Sequence, residues 1–516
     1  MPEETYQYRR ISMNGIILAL ASVGIIIALL LFLESETARP VAAKSNLVVY
    51  CAAGIRKPVE AAAKQYEKDY QIEVRLDYGS SGELESRLSL EKQSGVARCD
   101  LYIPADAFFS DRAKSKGLTK ESIPLAQLSV VIAIKPDAEE NFSSVKEFLD
   151  QDLAYVICNE QAGVGKKTKD QLELHGLWER TFDGKKASFP RVPEAANAVK
   201  TSNDIDAAML WDATTRNFGL KIVPCPELKG SVATVSADVT TTTPNANAAL
   251  HFARYLAAPE KGKPFFEKFN FDTVPGDPWS EVPELVIYCG GVNRNAIAKT
   301  LAEFEKREGC LIKTHYAGCG TIVGNIQAGK FHLPDAFLTC DASYLSMVES
   351  DFLTANDVSS TKVIILVRKG NPKGIHRIED LAKPGVSVGT TDPQMSTLGA
   401  LSWRLFEETD IKEKITSNQN VIVTTPTAHE LILQMEGHTK LDAALVYEAN
   451  CQNLTDRFEL IPIDHETAKA VQNIAVGKAS HFPHLSERLL TSILSNTSKS
   501  RFLDQGFQWE AQIAGQ

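Results

Sequence analysis

The sequence predicts an α/β chain made of two tandem units with mainly parallel sheets. Three observations predict it. One half of the chain repeats the other in order, short β-rich apolar runs alternate with amphipathic helical patterns, and a Pro/Gly-rich segment separates the two copies.

The repeat starts at Leu47-Val48-Val49-Tyr50-Cys51, which returns as Leu285-Val286-Ile287-Tyr288-Cys289. The offset, 285 less 47, is 238, and it holds without a gap through the next helical pattern. There Val59, Ala63 and Tyr66 answer Ile297, Leu301 and Phe304, one apolar face at helical spacing. It continues to Tyr78-Gly79-Ser80-Ser81-Gly82 against Tyr316-Ala317-Gly318-Cys319-Gly320. Later, Asp100 and Asp106 answer Asp335 and Asp341, Asp206 to Trp211 answers Asp442 to Tyr447, and Phe271 answers Phe507. Ordered matches at nearly one offset mean duplication. Ser129 to Ile134 and Lys362 to Val367 are β-rich runs between helical patterns, which is the α/β signature.

Pro275-Gly276-Asp277-Pro278 and Pro283 form the linker. Ahead of the first copy, Gly15 to Leu33 is apolar and free of charge, and about 20 such residues suffice to cross a bilayer as a helix. Arg9 and Arg10 precede it, so the positive-inside bias leaves the N-terminus in the cytoplasm and the rest outside. The expected division is a cytoplasmic segment 1–13, a membrane anchor 14–33, a linker 34–45, a first unit 46–275, a linker 276–283 and a second unit 284–512. A cleaved signal peptide, with Val41-Ala42-Ala43 at the cut, is the alternative for the N-terminus.

A net charge of −10 argues against nucleic acid as a partner, because phosphate binding needs a basic stripe. Nine cysteines in 516 residues do not make a disulfide scaffold, and Cys51 and Cys289 read as small buried core residues. No CxxC, HExxH, GxSxG or Cys/His signature occurs, so neither an enzyme, a cofactor nor a metal site is expected. Gly163-Val164-Gly165-Lys166-Lys167-Thr168 lacks the spacing of a phosphate-binding loop. Asp100 and Asp106, present in both copies, fit strand-end and helix-cap duties.

Gly79-Ser80-Ser81-Gly82 lies between an extended run, Glu73 to Tyr78, and a helical pattern marked by Leu84 and Leu88. A Gly/Ser turn opening a helix offers free N–H groups, hydroxyls and the positive end of the helix dipole, which together suit a small anion. A plain Ser N-cap needs the same residues.

These residues resemble the periplasmic molybdate-binding proteins of ABC importers, in the type II solute-binding superfamily. The resemblance rests on the strand ending Cys51-Ala52-Ala53, Tyr78 to Gly82, Pro104-Ala105-Asp106, Glu194 to Lys200 and Asp206 to Asp212. In the second unit it rests on Arg368 to Ile375, Ile378 to Leu381 and Gly389 to Pro393. It implies two α/β lobes per unit, joined by hinge strands, with an oxyanion such as molybdate or tungstate clamped between them and closure as the working motion. It also implies delivery to an ABC permease from the periplasmic or extracellular face.

The resemblance places the first unit's ligand contacts at Gly54 and Ser81 and near Gly165, Val192 and Trp211, and the Gly/Ser turn itself adds Ser80. In the second unit they fall at Val292, Cys319, Leu398, Ala428 and Tyr447. Gly54 and Cys319 lack the hydroxyls the resemblance implies, and each lost charge-assisted bond forfeits about 1.5–3 kcal/mol. The first unit is therefore the expected binding unit. The alternatives are a non-transport sensor or scaffold with degenerate clefts, or a receptor for a ferric ion or small organic anion.

Overall fold

The computed structural model describes residues 46–511 apart from 140, 330, 331, 438 and 439. The expected segments 1–13, 14–33 and 34–45, and residue 512, lie outside the described residues. Among the described residues no helix is long and apolar enough to cross a membrane.

The first unit contains strands β1 Leu47–Ala52, β2 Val74–Gly79, β3 Leu101–Ile103, β4 Thr119–Ile134, β5 Tyr155–Cys158, β6 Ala187–Phe189, β7 Ala207–Trp211, β8 Lys221–Val223, β9 Val232–Thr240 and β10 Asp272–Thr273. The second contains β11 Glu284–Gly290, β12 Leu311–Ala317, β13 Ala336–Leu338, β14 Asn356–Arg368, β15 Val388–Thr391, β16 Val421–Thr425, β17 Ala443–Tyr447, β18 Phe458–Pro462, β19 Lys469–Val476 and β20 Gln508–Trp509. Strand order is β2-β1-β3-β9-β4-β7-β5-β6 in one and β12-β11-β13-β19-β14-β17-β15-β16 in the other. Each order is the other renumbered by ten, so the repeat seen in sequence is a repeat of topology.

Each unit is α/β and two-lobed. In the first unit, β1 pairs in parallel with β2 and β3 in one lobe, and β5 with β6 and β7 in the other. The antiparallel pairings all involve β4 or β9. β4 runs through both lobes: Thr119 to Ser129 pairs with β9, and Val130 to Ile134 pairs with β7. Only its second half, Ser129 to Ile134, stands out in the sequence as an apolar run. The first half is interrupted by register shifts on either side of Ser122 to Pro124, which break the alternation that betrays a strand. β14 crosses its unit in the same way.

The helix Arg56–Tyr70 buries Val59, Ala63 and Tyr66, and Arg294–Glu308 buries Ile297, Leu301 and Phe304, the faces the spacing predicts. Asp100 accepts the Val48 N–H at 2.9 Å and Asp335 that of Val286 at 2.7 Å, so each carboxylate ties a strand end. Asp106 and Asp341 cap helices, as expected. All nine cysteines are buried and unpaired by disulfides.

The units meet through their first lobes. Glu308, buried, takes a two-pronged bond from Arg488 at 2.8 and 3.0 Å, and Arg254 of the first unit donates from Nη1 to the Glu308 backbone carbonyl and approaches its carboxylate at 3.5 Å. Burial presses against the charge on both arginines; Glu308 outweighs it at Arg488 but not at Arg254, which it grips by one nitrogen. Arg307 pairs with Glu121 of β4 at 2.6 and 2.7 Å. Asp277 in the linker accepts the N–H groups of His484 and Leu485, both at 2.9 Å, and so caps a helix of the second unit.

Replacing Glu308 by Gln removes the charge that pairs with buried Arg488 and compensates buried Arg254, and stability should fall by about 3–5 kcal/mol, read from urea unfolding. His251 is wedged among Tyr66, Tyr70 and Trp279, and burial pushes its pKa down to about 3. A group depressed in the fold stabilises above its unfolded pKa and loses that contribution as pH falls. Below about pH 6.5 this histidine should therefore remove about 1.4 kcal/mol per pH unit, a slope absent in His251→Phe.

Candidate functional site

Between the lobes of the first unit lies a cavity of ≈ 220 Å³ walled by four chain turns: Ala52 to Gly54, Gly79 to Ser81, Ala162-Gly163 and Arg191-Val192. Each turn opens a helix or a helical turn, at Ala53, Ser81, Gly163 and Val192. The helices at Gly163 and Val192 have no side chain capping their first N–H groups. Converging, partly uncapped N-termini make this cavity positive in potential without requiring a formal charge.

Ser80 is the N-cap of its helix, and its oxygen accepts the Glu83 N–H at 3.4 Å in a capping box. Ser81 is buried, and its oxygen accepts the Ala105 N–H at 3.2 Å. Both hydroxyls act as acceptors in these bonds, so their protons stay available to a bound anion. Gly54 lies against Trp211 and Val192: a Cβ built on it would stand 3.5 Å from Trp211 Cδ1 and 3.8 Å from Val192, ordinary packing distances. Trp211 is fully buried, and its Nε1–H has no hydrogen-bond partner among the described residues. A buried, unused donor is costly unless something completes it.

The lobes of the first unit are in contact. The Gly82 N–H donates to Gln161 O across the cleft at 2.8 Å. Arg191 reaches Glu83 at 3.3 Å, and Lys167 reaches Asp106 at 3.4 Å. Burial raises the Glu83 carboxyl, but bonds from Arg191, the Ser80 N–H and Arg87 outweigh it and hold the group below its usual value. At Asp106 burial wins and raises the carboxyl in spite of the Phe108 N–H and Lys167.

The second unit repeats the plan with a wider gap, ≈ 1180 Å³, lined by Val292, Ala428 and Tyr447 among others. Thr321 and Thr427 stand where the first unit has Glu83 and Arg191, so the charged latch is gone. Tyr447 Oη and Thr397 Oγ1 are buried without partners among the described residues.

Of the contacts expected from sequence, Gly54, Ser80, Ser81 and Val192 line the first cavity and Val292, Ala428 and Tyr447 the second. Four do not line them. Gly165 is packed beneath the Asn159 and Cys158 carbonyls, where a Cβ would lie within 2.1 and 2.4 Å. Leu398 and Cys319 are fully buried behind the wall of the second cavity, and Trp211 sits behind Gly54. Sequence reasoning missed Arg191, whose Nε is buried and unpartnered among the described residues, and also Thr397 and Cys340. Arg191 did leave a signal, since a helix start at Val192-Pro193 with Arg at the N-cap departs from the usual Ser, Thr, Asp or Asn.

The model of the bacterial extracellular solute-binding protein family matches residues 47–272 and again 285–508. The chain belongs to that family. It is 21% identical over 236 residues to the molybdate-binding protein ModA of Mycobacterium tuberculosis, covering 45% of this chain and 86% of that one. It is 52% identical to the sulfate-binding protein of Escherichia coli over 44 residues, 8% of this chain and 13% of the other. Among solved structures, the periplasmic molybdate-binding protein of Azotobacter vinelandii aligns with a TM-score of 0.38 at 13% identity, covering 43% of this chain and 98% of that one.

Removing the Arg191 guanidinium in Arg191→Ala breaks its charge contact with Glu83 across the cleft. Spin labels placed on the two lobes of the first unit should then report a longer, broader distance distribution than in the native chain, with the second unit unchanged.

Proposed function

We propose that the chain captures a small tetrahedral oxyanion, of the molybdate and tungstate class, in the cleft of its first unit and hands it to an ABC permease. The observation that carries this is the first cavity itself. Helix N-termini meet there beside two serine hydroxyls, and the buried, unpartnered Nε of Arg191 belongs to the same wall, with the unpartnered indole of Trp211 behind Gly54. Such a site offers donors in excess of acceptors, which an oxyanion needs and a metal cation does not. The closed first cleft leaves little free space, which suits an ion of a few atoms. Relatives that bind molybdate and sulfate support the same class.

On this reading the apolar segment 14–33 anchors the receptor with both units outside the cytoplasm, which keeps them near the permease. Binding draws on fixed dipoles, so affinity comes from geometry and release needs only reopening of the lobes. Arg191 adds a cation that also latches the cleft, and this couples ligand charge to closure.

Titration of the full chain with molybdate, tungstate, sulfate and phosphate should give saturable binding and a raised Tm for at least one anion. Ser81→Ala should weaken it by about 10- to 100-fold, the effect of one charge-assisted hydrogen bond. No thermal shift with any of the four at millimolar concentration sinks the proposal.

A further inference from the structure

The second cleft holds a pair of thiols where the first holds a serine and an alanine. Cys319 stands at the place of Ser81, and Cys340 at the place of Ala105. The local backbone is kept: as the Ala105 N–H bonds Ser81 Oγ at 3.2 Å, so the Cys340 N–H bonds Cys319 Sγ at 3.0 Å. A third change accompanies these two. Where the first unit has Ala52, the second has Gly290, and a Cβ there would lie 2.3 Å from Cys340 Sγ and 3.0 Å from Cys319 Sγ. Both sulfurs therefore border the space that the missing methyl group leaves. Cys340 lines the cleft, whereas Cys319 is sealed behind it.

From this juxtaposition we propose that Cys319 and Cys340 form a two-coordinate site for a soft monovalent cation, copper(I) or silver(I). Thiolate sulfur selects such ions, and two ligands suffice for them, so no third cysteine or histidine is needed. Binding breaks two S–H bonds, forms two metal–sulfur bonds and releases both protons to solvent, with no change of oxidation state. The bound unit carries one negative charge. Two features of the protein favour that charge: the Cys340 N–H on Cys319 and the N-terminus of the helix Cys319–Gln327. The site is independent of any anion bound in the first unit.

The test is a titration of the reduced full chain with copper(I), in anaerobic buffer against a chromophoric copper(I) chelator. One tight equivalent per chain is expected, with X-ray absorption reporting two sulfur neighbours and affinity rising with pH as the released protons require. Cys319→Ser and Cys340→Ser should each lower affinity by about 100-fold or more, while Cys51→Ser leaves it unchanged. The first of these restores the residue the first unit uses at the same place, so the fold should tolerate it, and its thermal melt checks that it does. Gly290→Ala, which keeps both thiols but fills their space, should lower affinity about 10-fold. An equivalent that survives both serine variants overturns the proposal. So does a disulfide between the two cysteines in the isolated protein that, once reduced, leaves a chain taking up no copper(I).

Discussion

Each unit depends on one strand that belongs to two lobes. β4 in the first and β14 in the second give half their hydrogen bonds to one sheet and half to the other. Continuous backbone sets where the second lobe can sit, so the cleft has few degrees of freedom. The crossover falls near Ser129, where the pairing of β4 with β9 ends and its pairing with β7 begins. The helix N-termini that wall the cleft follow from this, because parallel βα connections in both lobes end their strands at the same gap. The positive potential between the lobes is a product of topology before any side chain is chosen.

On that shared frame the two clefts diverge chiefly in side chains. The first closes with Glu83 against Arg191 and Asp106 against Lys167, leaving a small gap rich in donors. The second puts threonine at both latch positions, keeps a wide gap and places two sulfurs where the first has a hydroxyl and a methyl. Duplication preserved the hinge and the strand order and released the ligand-facing positions to change.

The repeat, the helix faces at Val59 and Ile297 and the turn at Ser80-Ser81 were legible because each lies within a short stretch with its own period or spacing. The strand-tying role of Asp100 and Asp335 was legible because it recurs. Arg191, Thr397 and Cys340 were not, because what gives each its meaning is a neighbour from another turn. Arg191 matters through Glu83, more than a hundred positions away, and Cys340 through Cys319 and Gly290 together. Gly165 and Leu398 were placed at the wall by resemblance, yet the backbone of the turn Asn159 to Ala162 and tight core packing keep them behind it. Chain continuity reveals elements; only the folded approach of distant elements reveals which side chain faces the gap.

The junction between units carries a consequence for how the molecule comes apart. Glu308 belongs to the second unit, but one of its two guanidinium partners is supplied by the first, and Asp277 from the linker caps a helix of the second. Neither unit can melt without leaving the other with charges or helix ends whose partners have gone. The two halves, though copies, should therefore unfold as one cooperative body, and a chain cut at the linker would be less than half as robust as the whole.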